Sequence, residues 1–359
     1  MRRRIALAVV LGALLTGCTD EPRSAELGEP SAASAEPSGA DERSLADVAA
    51  ATEERISLFD GIATGVIALV RVGDQTEVIT AGHAWRRGRV AMAPEMRFPI
   101  ASITKAMTAT LVMELVEEGR VALDDPAQRW VPEVRSLPPI TIAQLLSHRS
   151  GLPDSTGADI AKVGLDTRKL VARSVAHGLE FPPGSRGNYS NVGYGALQLV
   201  LERIHHRSFS ALLERRIFDP AGMGSSSLFG RPDVHGYVDG KDAAGHYLLR
   251  LLPAAGSVVS TVQDVDAFFR ALWADRLVAS RYVADMATPR GSVLEFNDYG
   301  LGIVVRKVSC GKALGHSGRL TGFSIDAYTL EDSDRSTVIM VNDHLSVAIA
   351  SIVETALCG

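Results

Sequence analysis

The sequence predicts an α+β fold: an antiparallel sheet covered by terminal helices, together with a mostly helical second lobe. Three observations favour this class. Strand patterns occur near both ends of the folded region, helical spacing dominates its middle, and an apolar helical pattern lies at each end. The chain has 359 residues, of which 46% are hydrophobic and 22% charged. That composition is typical of a globular protein and excludes a wholly disordered chain.

The first elements follow from local patterns. Ser44 opens a capping-box pattern that predicts a helix over 45–58. Two strands separated by a turn are predicted at 65–72 and 77–81. A strong helix is predicted over 102–118.

The rest of the chain is helical and then returns to strands. The two ends should pair into one sheet, and a cleft between the sheet and the helical lobe is where a site is expected. Further helices are predicted at 141–148, 194–205, 209–218 and 261–273, further strands at 300–308, 322–330 and 336–341, and a closing helix at 345–357.

The N-terminal residues 1–17 resemble a signal peptide. A basic start, Arg2–Arg4, precedes an apolar stretch that is too short to span a bilayer. The tetrad Leu15-Thr16-Gly17-Cys18 resembles a bacterial lipobox, in which Cys18 is lipidated. This predicts a lipoprotein that is exported and lipid-anchored to the outer face of the bacterial cell membrane. The alternative is an ordinary signal peptide followed by a chance cysteine.

Residues 18–44 are expected to form a disordered acidic tether. The stretch is rich in Ser, Ala, Glu, Pro and Gly, and residues 19–44 hold seven acids and two bases. Such a composition cannot bury enough apolar surface to fold. Residues 45–359 are then the folded domain. The net charge of the whole chain is −5, so nucleic acid is not an expected partner.

Export also bears on the remaining cysteines. If Cys18 is acylated, Cys310 and Cys358 remain, and an even pair in an oxidising compartment favours a disulfide. The alternative is two unpaired buried thiols. The adjacent His205 and His206 have no matching ligand set, so no metal site is predicted.

The first motif with chemical meaning is Ser102-Ile103-Thr104-Lys105. Ser102 and Lys105 share one face at the start of a predicted helix, where unpaired N–H groups favour developing negative charge. A serine hydroxyl needs a base beside it, and an amine serves if its surroundings keep it neutral. The motif alone also fits an ordinary helix serine with a solvated lysine. A second copy, Ser309 to Lys312, falls in a predicted strand and turn, where its side chains need not converge.

The second motif is Tyr189-Ser190-Asn191, which follows a Pro- and Gly-rich turn. A loop tyrosine near the nucleophile could relay protons, and the asparagine could hydrogen-bond a substrate amide. Taken alone, the motif equally describes a tyrosine packed by its ring.

The third motif is His316-Ser317-Gly318, followed by Arg319. As a strand edge containing a glycine, it would let a ligand backbone approach closely. The alternative is a turn before the strand that begins near Gly322. On the first interpretation, all four residues of the stretch are candidates for substrate binding.

Together, the order and spacing of these motifs resemble the penicillin-recognising serine hydrolases: class C β-lactamases, D-alanyl-D-alanine carboxypeptidases and related esterases. Leu145–Leu152 is similar to the family's LL-x-H-x-SGL segment, in which His148 is expected to order its loop. Tyr189–Tyr194 is similar to its Tyr-Ser-Asn loop, and Gly315–Gly318 to its last catalytic strand. The resemblance covers nearly all of 45–359 and implies a β-lactamase/DD-peptidase-like fold.

The resemblance implies a role for each matching residue. Ser102 would be the acylated nucleophile and Lys105 its base partner. Tyr189 would relay the proton to and from the leaving group, and Asn191 would hold the substrate amide.

The strand side of the site is implied in the same way. The backbone N–H groups of Ser102 and Arg319 would form an oxyanion hole, where each donor is worth roughly 3–4 kcal/mol in other serine hydrolases. His316 and Ser317 would line the site and face the substrate carboxylate. The family's commoner motif begins with Lys, and a neutral imidazole supplies less field for a carboxylate, which disfavours an efficient β-lactamase. Arg306 or Arg319 are candidates for the missing positive charge.

The resulting hypothesis is an exported serine hydrolase that acts through a Ser102 acyl-enzyme, like a D-alanyl-D-alanine carboxypeptidase on cell-wall peptides. An esterase or a β-lactamase of the same family is the alternative. A catalytically silent penicillin-binding lipoprotein is the hypothesis from another class. The expected partners are a peptidoglycan-like peptide or other small acyl substrate, β-lactams, and the membrane through the lipid anchor. The mechanism needs no cofactor.

Overall fold

The computed structural model describes residues 43–59, 64–164, 166–243, 253–294, 296, 298–343 and 346–359. The predicted signal peptide, Cys18 and the tether up to residue 42 lie outside the described residues. Within the described ranges, no helix is both long and apolar enough to cross a bilayer.

The helices of the described chain range from 3 to 15 residues in length. They are α1 (Leu45–Ser57), α2 (Thr104–Glu117), α3 (Ile142–Leu146), α4 (Gly157–Val163), α5 (Thr167–His177), α6 (Asn191–His205), α7 (Phe209–Leu213), α8 (Asp219–Ala221), α9 (Pro253–Gly256), α10 (Val262–Trp273), α11 (Ser280–Ala287) and α12 (Ser346–Cys358).

The strands cluster toward the two ends of the folded region. They are β1 (Gly65–Val72), β2 (Gln75–Trp85), β3 (Val90–Ala91), β4 (Phe98–Pro99), β5 (Ser227–Leu228), β6 (Tyr237–Val238), β7 (Lys241–Asp242), β8 (Val258–Ser260), β9 (Asp298–Tyr299), β10 (Val304–Val308), β11 (Gly311–Leu320), β12 (Phe323–Leu330) and β13 (Arg335–Val341).

Eight of these strands form one antiparallel sheet in the order β3-β2-β1-β13-β12-β11-β10-β9. Its centre joins the two ends of the chain, because β1 pairs with β13 from Val66 opposite Val341 onward. The prediction of an α+β fold, with one antiparallel sheet built from both chain ends and covered by terminal helices, is confirmed.

Each face of the sheet packs against its own set of helices. On β1, Val66, Ala68 and Val70 belong to the apolar cluster shared with α1 and α12. Ile67 and Leu69 belong to the larger cluster that includes the helical lobe and α10. A strand buried on both faces has a continuous apolar run, which is why this segment shows no alternation in sequence.

A buried ion pair ties α10 to the middle of the sheet. Asp266 accepts hydrogen bonds from the Arg71 guanidinium on β1, at 2.5 Å from Nη2, and from Ser336 Oγ on β13, at 2.9 Å. The two charged side chains are only 10% and 4% exposed. Removing one partner of such a pair generally costs about 3–5 kcal/mol, because the other charge stays buried.

Two predicted elements differ clearly from the structure, and one strand was not predicted with bounds. The predicted helix over 209–218 ends as an α-helix at Leu213 and continues as a π-helical segment, Glu214–Phe218. The predicted strand over 300–308 begins only at Val304. The sequence analysis did not delimit β11, because its three glycines and polar residues dilute a strand pattern.

Cys310 and Cys358 are joined by a disulfide between the β10–β11 hairpin and the end of α12, with Cα atoms 5.4 Å apart. The bridge spans 48 residues, a separation for which loss of unfolded-chain entropy is worth about 4 kcal/mol. The pairing is the disulfide that the sequence analysis expected between Cys310 and Cys358.

Candidate active site

Ser102 lies on a 3-10 turn, Ala101–Ile103, that leads directly into α2. Its two neighbours in the turn are buried, whereas Ser102 itself is partly exposed. Ala101 has a φ of 47°, a left-handed conformation that costs a residue with a side chain about 1–3 kcal/mol. Such a conformation persists only where the surrounding structure imposes it.

Gly318 on β11 is part of that surrounding structure. A Cβ at this position would lie 2.5 Å from Ile100 O and 3.3 Å from Ser102 N. The absence of a side chain therefore lets β11 pack directly against the nucleophile turn. The sequence analysis expected the glycine to admit a ligand backbone, and the structure shows that the protein's own backbone occupies that space.

Lys105 is wholly buried on the first turn of α2. Its Nζ lies 3.0 Å from Ser102 Oγ, 2.8 Å from Asn191 Oδ1 and 2.8 Å from the Ala255 carbonyl oxygen. Burial lowers the pKa of Lys105 to about 7, against the opposing effect of the Asp154 carboxylate. Near neutral pH, a large fraction of this amine is uncharged.

The partners of a neutral Lys105 amine determine where its lone pair points. The Ala255 carbonyl and Asn191 Oδ1 can only accept, so they take the two N–H bonds. The lone pair then faces the Ser102 hydroxyl, at a distance suited to proton transfer. The Ala255 carbonyl is available because it lies in the last turn of α9, where helix carbonyls lack partners within the helix.

Asp154 fixes the orientation of Asn191. Its carboxylate accepts hydrogen bonds from Asn191 Nδ2 at 2.7 Å, from Asn191 N at 3.0 Å and from Val192 N at 3.3 Å. With Nδ2 engaged in this way, Oδ1 is left for Lys105. The sequence analysis missed Asp154. Its signal was a Pro-Asp pair directly after the LL-x-H-x-SGL segment, a pattern typical of turns and helix caps.

The Tyr189 ring contacts both the Lys105 amine and the ring of the buried His148. The ring centroid is 4.7 Å from Lys105 Nζ, and the ring stacks on His148 with centroids 4.0 Å apart. Tyr194 and Tyr299 also contact the His148 ring, at centroid distances of 5.1 and 4.9 Å. An aromatic face beside the amine favours its cationic form, which helps when Lys105 accepts a proton.

His316 does not line the cleft. Its side chain is fully buried, with Nε2 3.0 Å from the Tyr299 hydroxyl and Nδ1 2.6 Å from the Ser317 carbonyl oxygen. Burial lowers the pKa of His316 to about 3, and the charges of Lys105 and Arg319 act in the same direction. The expectation that its imidazole faces a substrate carboxylate is therefore wrong, because a fully buried neutral ring is not accessible to a substrate.

A cleft of about 290 Å³ lies between the nucleophile turn, the Tyr-Ser-Asn loop and β11. Ser317 contributes its hydroxyl, which also lies 2.8 Å from the Tyr328 hydroxyl. The lining residues are Ala101, Ser102, Tyr189, Asn191, Ala255, Gly256, Ser257, Leu294, Phe296, Ser317, Arg319 and Leu320.

A second cavity of about 690 Å³ adjoins the cleft and shares Phe296, Ser317 and Arg319 with it. Asp326, which is 1% exposed, accepts from Arg319 Nη1 at 2.6 Å and Arg306 Nη1 at 3.4 Å. One carboxylate therefore holds two guanidinium groups. The cavity lining has a net charge of +1, contributed by Arg306, Lys307, Arg319, Asp298 and Asp326.

The structure thus brings Ser102, Lys105, Tyr189 and Asn191 together and places Ser317 and Arg319 opposite them. The second Ser-x-x-Lys copy stays apart, since it lies on the β10–β11 hairpin. Sequence reasoning missed the Asp154 clamp, the Ala255 carbonyl and the buried rings around His148. Apart from the Pro-Asp pair that marks Asp154, these contacts have no local sequence signal, because each joins segments that lie far apart in the chain.

A serine on a helix-initiating turn, with a buried amine beside it at the edge of an antiparallel sheet, defines the class of active-site serine hydrolases. The chain belongs to the beta-lactamase family, whose family model matches residues 50–351. The resemblance inferred from the motifs is thereby confirmed.

Curated relatives carry two kinds of names. Penicillin-binding protein 4* of Bacillus subtilis is 26% identical over 307 residues, covering 77% of this chain and 68% of that protein. A D-aminopeptidase of Brucella anthropi is 28% identical over 302 residues, covering 77% of this chain. The chain spans only 56% of the length of that D-aminopeptidase.

Solved structures agree on the fold. A D-amino acid amidase from Ochrobactrum anthropi SV3, in complex with L-phenylalanine amide, matches with a TM-score of 0.80 and 25% identity, covering 86% of this chain and 97% of that one. A D-stereospecific amidohydrolase from Streptomyces sp. matches with a TM-score of 0.76 and 28% identity, covering 86% and 98%.

The Asp154 carboxylate is predicted to set the pH at which the site becomes active. Its negative charge raises the pKa of Lys105, so Asp154→Asn should lower that pKa below about 7. The acid limb of the pH profile for labelling of Ser102 by a fluorophosphonate should then move to lower pH. The plateau rate should fall as well, because an amide cannot accept all the bonds that hold Asn191.

Asp166→Asn is the matched control, since Asp166 also caps a helix of this lobe but accepts from Lys169 N. Its profile should coincide with that of the wild type. An acid limb that stays in place or moves to higher pH in Asp154→Asn would contradict the electrostatic role of Asp154.

Proposed function

We propose that the chain is a serine hydrolase that cleaves an amide bond through an acyl-enzyme at Ser102, with D-alanyl-D-alanine-like peptides as its substrate class. The observation that carries this proposal is the 3.0 Å contact between Ser102 Oγ and the buried Lys105 Nζ. The other two partners of that amine only accept hydrogen bonds, so its lone pair is directed at the nucleophile.

Acylation begins when Ser102 Oγ attacks the substrate carbonyl carbon and its proton passes to Lys105 Nζ. The carbonyl electron pair moves onto oxygen, where the N–H groups of Ser102 and Arg319 would stabilise the charge. The tetrahedral intermediate then collapses and the C–N bond breaks. The leaving nitrogen takes up a proton, which Tyr189 would relay from Lys105.

Deacylation repeats the sequence with water as nucleophile. A water loses a proton to the same base system and its oxygen attacks the ester carbon. The tetrahedral species expels Ser102 Oγ, which regains a proton. The balance is one amide bond and one water consumed, and one carboxylic acid and one amine released.

The second cavity supports a substrate whose leaving group carries a carboxylate. It adjoins the cleft at Ser317 and Arg319 and has a net positive charge. The positive charge expected from a lysine at position 316 is absent, and Arg306 and Arg319 compensate for it from the cavity side. A D-alanyl-D-alanine peptide has a terminal carboxylate to place there.

A D-amino acid amidase or D-aminopeptidase is the second candidate, favoured by the names of the relatives. An amide cleaved by an amidase has no leaving-group carboxylate, whereas a dipeptide cleaved by an aminopeptidase has one, so only the amidase differs from the first candidate in this respect. An esterase or β-lactamase shares the same acylation chemistry. A catalytically silent binding protein is disfavoured, because Ser102, Lys105, Tyr189 and Asn191 are present and together.

Acylation is predicted to depend on the neutral Lys105 amine. Ser102→Ala should abolish covalent labelling by fluorophosphonate and penicillin, and Lys105→Ala should slow it by about 10²–10⁴-fold, as loss of a general base does. Wild-type labelling should fall about tenfold per pH unit below pH 7, because protonation of Lys105, whose pKa is about 7, removes the base.

Mass spectrometry of the adduct and of the pH series checks both statements. Ser309→Ala, in the second Ser-x-x-Lys copy, is the control and should be labelled normally. Absence of any Ser102 adduct on folded wild-type protein would contradict the proposed function.

A substrate panel is predicted to separate the candidates. Wild-type protein should hydrolyse a D-Ala-D-Ala peptide more efficiently than D-alaninamide, a nitrophenyl ester or a chromogenic cephalosporin. Arg306→Ala should lower kcat/KM for the D-Ala-D-Ala peptide by about tenfold, because a charge-assisted contact is lost. It should leave D-alaninamide, which has no carboxylate, within twofold of the wild type.

Lys312→Ala is the charge-matched control, because Lys312 pairs with Glu331 on the exposed surface, outside the second cavity. Equal losses for both substrates in Arg306→Ala would contradict a carboxylate subsite. Preferred hydrolysis of D-alaninamide would favour the amidase.

Export and lipid attachment at Cys18 form a separate proposal, supported by the Leu15-Thr16-Gly17-Cys18 tetrad. In a bacterial host, wild-type protein should incorporate labelled palmitate and sediment with membranes, whereas Cys18→Ser should do neither. Palmitate incorporation by Cys18→Ser, or its absence in the wild type, would contradict the anchor.

A further inference from the structure

His148 is fastened to the segment that carries Tyr189 by three separate contacts. Its carbonyl oxygen accepts a hydrogen bond from Asn188 N at 2.9 Å, and its Nδ1 accepts one from Ser190 N at 3.1 Å. Between these two bonds, its ring stacks on the Tyr189 ring at 4.0 Å with 25° between the planes. One residue therefore holds the backbone on both sides of Tyr189 and the ring itself.

The cost of this arrangement indicates that stability alone does not explain it. His148 has a φ of 57°, in the left-handed region, and is 1% exposed. Because Nδ1 accepts from Ser190 N–H, the neutral ring carries its proton on Nε2, which is buried and has no hydrogen-bond partner among the described residues. An unsatisfied buried donor generally costs about 1–3 kcal/mol, so the placement of this ring opposes stability.

We propose that His148 is a positioning residue that holds the Tyr189 phenol in register with Lys105 and Ser102. The inference rests on the proposed acyl-enzyme function and extends it to a residue that does not line the cleft. The Tyr189 ring stacks on the His148 ring with centroids 4.0 Å apart, and the Lys105 amine lies 4.7 Å from the Tyr189 centroid. Without the stacked ring, the Tyr189 phenol gains room to tilt, and the proton relay loses its alignment.

A histidine suits both tasks because it joins an aromatic face to an acceptor. His148→Asn retains an oxygen for the Ser190 N–H and tolerates a left-handed φ, but lacks the ring. His148→Phe retains the ring but leaves the Ser190 N–H unpaired. The ring also stays neutral, since burial holds the pKa of His148 well below its usual range, with the charge of Lys105 acting in the same direction. It therefore adds no cation beside the amine.

The test is a double-mutant cycle that combines His148→Asn with Tyr189→Phe. The substrate is the one of the four in the panel that the wild type hydrolyses best. KM and kcat are measured, with kcat expressed per active site titrated by the fluorophosphonate. We expect His148→Asn to lower kcat by about 10- to 100-fold with KM within twofold. In the Tyr189→Phe background, where no hydroxyl remains to be aligned, the same change should have no more than a twofold effect.

Ser150→Ala is the control in the same loop, since Ser150 is buried and its hydroxyl accepts a hydrogen bond from Leu152 N at 3.2 Å. It should retain wild-type kcat per titrated site. If His148→Asn fails to fold, His148→Phe enters the same cycle and should lose less than tenfold in kcat, because its ring still stacks on Tyr189.

Wild-type kcat in His148→Asn, or effects that multiply with those of Tyr189→Phe, would overturn this inference while leaving the acyl-enzyme intact. Failure of the wild type to label at Ser102 would overturn the proposed function, and the inference with it. The two failures are thus distinguished by the wild-type labelling reaction.

Discussion

The desolvated amine of Lys105 is the constraint on which the rest of the site depends. An ammonium group in this position would lose its hydration and gain only two acceptor oxygens and a hydroxyl, so burial shifts the equilibrium toward the neutral form. A neutral amine has one lone pair, and the Ala255 carbonyl and Asn191 leave only Ser102 for it to face. Burial thus favours the neutral form of the Lys105 amine, and its hydrogen-bond partners orient the lone pair toward Ser102.

The fold supplies those partners from segments far apart in the chain. The Ala255 carbonyl comes from the end of α9, and Asn191 from the start of α6, held by Asp154. The sheet contributes β11, whose Gly318 presses against the strained Ala101 turn. A small displacement of any of these elements would redirect the lone pair or the hydroxyl, so stability of the sheet and geometry of the site are coupled.

The cleft and the second cavity, which adjoin at β11, hold different charged groups. The cleft holds the nucleophile and a base that is about half neutral near pH 7. The adjoining cavity holds the guanidinium groups of Arg306 and Arg319 against Asp326, and Arg319 also lines the cleft. His316 adds no charge to either, because burial keeps its ring neutral. The guanidinium groups in the adjoining cavity thus offer a site for a carboxylate. Because they lie away from Lys105, they do not lower the pKa of its amine further.

Local sequence patterns were enough to predict the α+β class, the terminal helices, the β1–β2 hairpin and the site residues Ser102, Lys105, Tyr189 and Asn191. These follow from periodicity, capping and short motifs, which are local properties. Four features became visible only in the folded structure. His316 is buried, and Gly318 contacts the nucleophile turn. Asp154 accepts hydrogen bonds from Asn191, and β11 is a full strand. Those outcomes depend on which distant backbone or side chain fills the space beside each residue, and no spacing along the chain encodes that.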